Sequence, residues 1–176
     1  MSYRVGYKMQ ALKAHIEMCV GKHIAQRLDA EMGDIALILT PRHMGNGIDI
    51  CQQRYLAEFQ IDRLPFKKYD PAVLFANVAA WLMDNDTDRE DQLGELKDPV
   101  IEVVVEDEDS AEVLIQVAFE EPIKLVEAEN GNVFWQKKRE LDENGVERWV
   151  SKRWNIEEYP VWVAENLRDV VANVRD

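Results

Sequence analysis

The sequence predicts an α+β domain: an antiparallel or mixed sheet of about four strands packed by two helices, with a C-terminal hairpin as an extension. Three observations lead there. Stretches of alternating apolar and polar residues carry the period of half-buried strands. Two longer stretches repeat their apolar residues at helical spacing. Turn-forming residues separate the two kinds. At 176 residues and 47% hydrophobic content, the chain is long enough to bury a real core without disulfide or metal support. The predicted division is a core over residues 1–130 and a hairpin and arm over 131–176.

From Tyr7 to about Met32, Leu12, Ile16, Val20, Ile24 and Leu28 recur every four positions, which paints one face of an amphipathic helix expected to lie on the sheet. Gly33 is its expected stop. The branched run from Asp34 to Thr40 reads as a short buried strand, with helix left open, and Pro41 to Gly47 as an irregular loop. Between Ile50 and Leu64, Tyr55, Ala57, Phe59 and Ile61 alternate with Arg54, Glu58, Gln60 and Asp62, the pattern of a strand that ends at Pro65.

Asp70-Pro71 announces a second helix, running to about Asp84 with Val73, Leu74, Val78, Trp81 and Leu82 as its apolar stripe. The carboxylate-rich stretch from Asp84 to Asp98 is expected to cross the surface as a loop. Two strands follow, Val100–Val105 and Glu112–Phe119. The four adjacent carboxylates between them, Glu106, Asp107, Glu108 and Asp109, are too costly to bury and must face water, a protein or a cation.

A separate strand from Ile123 to Ala128 is expected after Pro122, closed by a hairpin turn at Asn130-Gly131. Residues Val133–Glu140 and Glu147–Ile156 then form a projecting hairpin about Asn144-Gly145. A two-residue turn there sets Trp135 opposite Trp154, and also Lys137 opposite Lys152 and Asp142 opposite Glu147. The last segment, Tyr159 to Val174, is left open between a strand with a short helix and an arm that orders on a neighbour.

The net charge is −13, and it is uneven. Residues 1–69 hold ten Lys or Arg against seven Asp or Glu, a balance of +3, whereas residues 70–176 hold 11 against 27, a balance of −16. Such an acidic surface repels phosphates, so tight binding to duplex DNA is not expected and protein partners are favoured. No apolar run reaches the roughly 18 residues of a membrane span, and no signal peptide is evident, so a cytoplasmic protein with no membrane association is expected.

Candidate chemistry is sparse. His15, Cys19 and His23 stand four apart, each step turning about 40° on a helix, a spacing that permits metal ligation; core packing is the plainer reading for Cys19. With Cys51 the only other cysteine, no disulfide framework or zinc knuckle is implied. His43 has no nucleophile pattern beside it. Glu106–Asp109 lacks the central glycine and terminal glutamate of a calcium loop. Gly45-x-Gly47 lacks the rest of a phosphate loop, and no nucleophile elbow occurs. No enzyme, cofactor or metal site is therefore expected.

Trp81 belongs to the second helix's core stripe, but Trp135, Trp149, Trp154 and Trp162 cluster in the last quarter. Aromatics are enriched where proteins meet, so these four are candidate interface residues, local core being the alternative.

Three short stretches carry a family likeness: the helix end Val78-Ala79-Ala80-Trp81-Leu82-Met83-Asp84-Asn85, then Asp109-Ser110-Ala111-Glu112-Val113, then Phe119-Glu120-Glu121. Together they make the chain, from about Arg54 to Trp135, resemble tail completion protein R of contractile-tailed temperate phages. The resemblance implies a structural protein like the tail terminators, located in the virion tail and in the host cytoplasm during assembly. It implies a ring, as a homo-hexamer, at the head-proximal end of the tail, which stops tube and sheath growth and allows head joining. Its partners would be its own copies, tail tube and sheath proteins and the head-tail connector. With such a ring in mind, Glu106, Asp107, Glu108 and Asp109 become candidates to face a central channel and let DNA slide past. The alternative from another class is a monomeric, non-catalytic binding or regulatory module that uses the aromatic C-terminal region.

Overall fold

A computed structural model of the chain describes residues 6–44, 47–87, 89 and 96–156. Among them the elements are α1 (Tyr7–Val20), α2 (Lys22–Ala25), β1 (Leu28–Met44), β2 (Gly47–Leu64), α3 (Pro71–Asn85), β3 (Val100–Val105), β4 (Ala111–Glu127), β5 (Val133–Leu141) and β6 (Glu147–Ile156). The predicted four-stranded sheet with two helices is thus corrected. The described residues build one curled antiparallel sheet of six strands, with three helices.

Strand order is β1-β2-β4-β6-β5, and β3 also pairs with β4. The strand β4 organises this arrangement. One edge runs against β2 from Ala111↔Leu64 to Leu125↔Ile48. Its other edge takes β3 at residues 111–116 and β6 at residues 125–127. The strand expected to restart after Pro122 is therefore the second half of β4. A proline is tolerated because it falls between Gln116 and Leu125, where that outer edge has no strand partner among the described residues.

The alternation read in residues 50–64 holds: Tyr55, Ala57, Phe59 and Ile61 are all buried. They meet Val113, Ile115, Val117 and Phe119 of β4 on the same face, under Leu12, Ile16 and Val20 of α1 and Leu74, Val78, Trp81 and Leu82 of α3. Trp81 stands edge-on to Phe119 with ring centroids 6.3 Å apart. On α3 the cap is as expected, the Asp70 carboxylate accepting the Ala72 N–H at 2.9 Å, but Val73 is exposed rather than part of the stripe.

The first helix is shorter than predicted. Gly21, at φ 85°, ends α1, and the chain has turned into β1 by Leu28, which pairs with Ile61. The run Asp34–Thr40 lies within a longer strand that continues through residues expected to loop, His43 pairing with Ile48. Register shifts at Gly33/Ala36 and Leu39/Arg42 let the hairpin absorb Gly33, Asp34 and Pro41.

Asn130-Gly131 does not close a hairpin onto the next strand. The chain passes β5 first, and the β5–β6 hairpin folds back so that β6, not β5, joins β4 through Leu125↔Ile156 and Glu127↔Trp154. Its tip is a five-residue connection instead of two. Asp142 N–H donates to the Val146 carbonyl at 2.9 Å, the Asp142 carboxylate accepts the Asn144 and Val146 N–H groups, and Gly145 supplies the positive φ of 77° that this turn needs. The register moves with it, so Val133 rather than Trp135 faces Trp154, and Trp135 faces Lys152.

Candidate functional site

The acidic turn between β3 and β4 is exposed and antiparallel, and three of its carboxylates shape it. Asp107 accepts the backbone N–H groups of Asp109 and Ser110 and the Ser110 hydroxyl, all within 2.9 Å. These hydrogen bonds hold its carboxyl below the usual carboxylate range. Glu106 accepts the Arg63 N–H at 3.1 Å, and Asp109 lies 3.3 Å from the Lys67 ammonium. The turn overhangs a cleft of about 630 Å³ whose other wall carries Arg27, Arg63, Lys67 and Lys68. Its negative charge therefore sits against a basic wall of the same chain.

Asp62, Glu106 and Glu112 bring carboxylate oxygens within 4.8 Å of one another near this turn. Sequence spacing gave no sign of the cluster, because register across β2 and β4 assembles it. Glu106 and Glu112 already accept hydrogen bonds within the chain, from the Arg63 N–H and the Gln60 side-chain amide.

Of the four candidate tryptophans, Trp135 and Trp154 come together. Their ring centroids are 5.9 Å apart, and the Trp154 indole N–H donates to the Trp135 carbonyl at 2.9 Å. Trp154 is only 4% exposed and packs on Leu125, with Ile50 and Val133 beside them. Trp149 pairs through its backbone with Arg139 of β5. Trp162 lies outside the described residues, as does the whole segment from Tyr159 to Val174.

The His15, Cys19, His23 spacing does not survive the helix break. His15 Nε2 and Cys19 Sγ are 3.6 Å apart on α1, but His23 follows Gly21 on α2 and is exposed. Burial pushes the Cys19 thiol up and the His15 imidazole down, so both favour their neutral forms. Gly45 and Asn46 of the glycine stretch lie outside the described residues.

Sequence reasoning missed the most elaborate polar cluster, which the Phe119-Glu120-Glu121 stretch builds. Glu121 is fully buried (0% exposed), and its carboxylate accepts the backbone N–H groups of Gly6 and Lys8 and the Tyr55 hydroxyl. Placed at the first turn of α1, it satisfies helix N–H groups that have no intrahelical partner and meets the positive end of the helix dipole. Burial still dominates, and it raises the Glu121 carboxyl above the usual range against the opposing pull of these bonds and of Lys8. Beside it the Lys8 ammonium donates to Asp86 at 2.7 Å and to the Glu120 carbonyl at 2.8 Å, while Arg89 donates to Asp86 and to the Ala118 carbonyl, both at 2.8 Å. Arg54 completes the cluster with an ion pair to Glu120 at 3.0 Å.

The sheet's edges were also missed. Leu37 and Leu39 on β1, and Val103 and Val105 on β3, are exposed although their cross-strand partners are buried. The apolar face thus runs past the helices that cover its middle.

Comparison with known proteins places these features in a family. The family model described as P2 phage tail completion protein R (GpR) matches residues 6–144, which takes in α1 and the β5 strand. The chain is similar to an uncharacterised 19.2 kDa protein in the rep-hol intergenic region of Haemophilus phage HP1. They are 31% identical over 129 residues, covering 73% of this chain and 68% of the phage protein. No solved structure matches it.

Proposed function

The chain belongs to the P2 phage tail completion protein R family, and from that premise we propose that it assembles as a ring at the head-proximal end of the tail. There it stops growth of the tube and sheath and offers the surface on which the head is joined. The coarser role, phage tail completion, follows from the family, and with it a place in the virion tail. What carries the finer reading is the family match together with the use to which the chain puts its family-like residues. Trp81 packs on Phe119, Asp107 and Ser110 lock the β3–β4 turn, and Glu121 anchors α1. Each serves shape, and a terminator acts through shape and contact.

Within such a ring the less acidic half of one copy meets the acidic half of the next, so charge gives the ring direction. The exposed turn from Glu106 to Asp109 faces the channel, where its carboxylates offset Arg27, Arg63, Lys67 and Lys68 behind them and so keep DNA from adhering. The Trp135–Trp154 hairpin is available for contacts with tube, sheath or connector. Electron microscopy of particles made without this protein tests the role: overlong or headless tails are expected, and normal joined virions would refute it. Neutralising Glu106, Asp107, Glu108 and Asp109 tests the channel placement, which fails if ring formation and DNA passage are unchanged.

A further inference from the structure

We propose that the β5–β6 hairpin of one copy seats on the helix-free face of the sheet of a second copy, a basic arm held against an acidic strand surface. The inference rests on the ring reading above and names the contact that would build it. Residues 133–156 hold six basic residues, Lys137, Lys138, Arg139, Arg148, Lys152 and Arg153, against Glu140, Asp142, Glu143 and Glu147. Their balance is +2, which leaves −15 for the rest of the chain. Asp142 and Glu143 belong to the turn, so the two paired strands themselves carry +4. The hairpin joins β4 only at Trp154–Ile156, and elsewhere its strands pair only with each other among the described residues. On this arm Phe134 and Leu141 are 70% and 69% exposed, and the Arg153 guanidinium lies 5.1 Å from the centre of the Phe134 ring. An exposed aromatic beside an arginine is a composition enriched where proteins meet.

The surface that answers this arm is the face of the sheet turned away from Tyr55. All three helices contribute to the core on the Tyr55 face, so the opposite face carries no helix among the described residues. Two rows of directly opposed residues cross it from β1 to β3: Asp29, Gln60, Leu114 and Glu102, then Glu31, Glu58, Gln116 and Val100. Glu112 stands beside them, opposite Val104. These positions hold five carboxylates and no cation. Glu58 and Glu112 accept hydrogen bonds from the Gln116 and Gln60 side chains, neutral donors that do not cancel their charge. Arg54, farther along the face, pairs with Glu120, and the cations at the strand ends, Arg27, Arg63, Lys67 and Lys68, line the cleft under the β3–β4 turn. Glu31 and Glu58 are directly opposed, an arrangement that destabilises a sheet and that a cation seated over both would relieve. Leu114, Val100 and Val104 add apolar area to the same face. No copy can cover this surface with its own arm, because beyond Glu127↔Trp154 the hairpin continues past the end of β4, away from residues 112–116. The arm comes from a second copy, and unlike charge selects it. Since every copy has one arm and one acidic face, the contact is head-to-tail, the kind that closes into a ring when the rotation allows.

The test uses the full chain and two charge-reversed variants, one with Lys138→Glu and Arg139→Glu on the hairpin, the other with Glu31→Lys and Glu58→Lys on the sheet face. Sedimentation velocity over a concentration series, with and without isolated tail ends, should show each variant associating at least about tenfold more weakly than the unmodified chain, whose own association should weaken as salt is raised. Mixing the two variants should restore assembly, since the reversed hairpin then fits the reversed face and the two unmodified surfaces fit each other. Rings that survive either reversal, or a mixture that associates no better than its components, would overturn the contact and leave the ring reading standing. So would a hairpin variant that still forms rings but no longer binds tail ends, because the arm's partner is then a tail component. An unmodified chain that stays monomeric, even on tail ends, would overturn both. Should a reversal fail to fold, the neutral pairs Lys138→Gln with Arg139→Gln and Glu31→Gln with Glu58→Gln supply a second measurement. Each should weaken association and flatten its dependence on salt, and unchanged association overturns the contact.

Discussion

The Tyr55 hydroxyl donates to Oε2 of Glu121 at 2.9 Å while accepting the Met9 backbone N–H at 3.2 Å, so one phenol ties neighbouring sheet strands to the first turn of α1. Burial and the adjacent carboxylate push its own ionisation far above the ordinary phenol range, which keeps it a donor at any physiological pH. Replacing Glu121 by Ala strips the acceptor from the Gly6 and Lys8 N–H groups and from Tyr55 at once, and should destabilise the fold by about 3 kcal/mol or more. Glu121→Gln keeps an acceptor oxygen, and Tyr55→Phe removes one hydrogen bond, so each should cost about 1–2 kcal/mol. Urea unfolding of the three variants gives the ranking, and Glu121→Ala ranking no worse than Tyr55→Phe would contradict this role.

Stability should also respond to pH through Glu121. Its carboxyl lies above the usual range in the folded chain, so the folded state holds its proton where the unfolded state has lost it. Stability from this residue is greatest below the ordinary glutamate value of about 4.3 and falls as pH rises from there through the raised value. Asp107 runs the other way: its depressed carboxyl contributes above the ordinary aspartate range and loses that contribution as pH drops through the lowered value. Denaturation midpoints measured across acidic pH should therefore show the first slope vanish in Glu121→Gln and the second in Asp107→Asn.

A methyl group at position 131 should dislodge the hairpin. A Cβ there would fall inside the van der Waals surface of the Trp154 backbone, while the Gly131 carbonyl accepts the Arg153 guanidinium at 2.7 Å. Gly131→Ala is expected to cost about 1–3 kcal/mol through overpacking. Hydrogen exchange should quicken first in β5 and β6, with the α1–α3 core still protected.

A milder effect is expected at the start of α3. Asp70→Ala removes the acceptor for the Ala72 N–H and should lower stability by about 1 kcal/mol. Asp70→Asn should restore most of it. Thermal melts followed by circular dichroism would show both.

What could be read in advance was whatever local pattern controls. The Tyr55, Ala57, Phe59, Ile61 alternation and the Asp70-Pro71 start were plain because neighbouring residues alone set them. The extent of α1 was misread because Ile24 and Leu28 keep the four-residue period while lying on α2 and β1; both still bury into the same core after Gly21 has broken the helix. The β1–β2 hairpin was obscured because its strands absorb Gly and Pro at register shifts. The docking of β6 beside β4 depends on a pairing that no local pattern encodes. Glu121 read as part of an acidic strand end, since its role needs the N-terminus of a helix more than a hundred residues away.

The position of β4 among its neighbours bears on how the chain comes to be made. As the polypeptide leaves the ribosome, α1, the β1–β2 hairpin and α3 are complete before residues 111–127 emerge, so β2 lacks its β4 partner, and Tyr55, Ala57, Phe59 and Ile61 lack Val113, Ile115, Val117 and Phe119 beside them, until then. Late arrival of the strand that β2, β3 and β6 all share means that the sheet is completed through contacts distant in sequence, and that the β2 edge stays open while the chain is made.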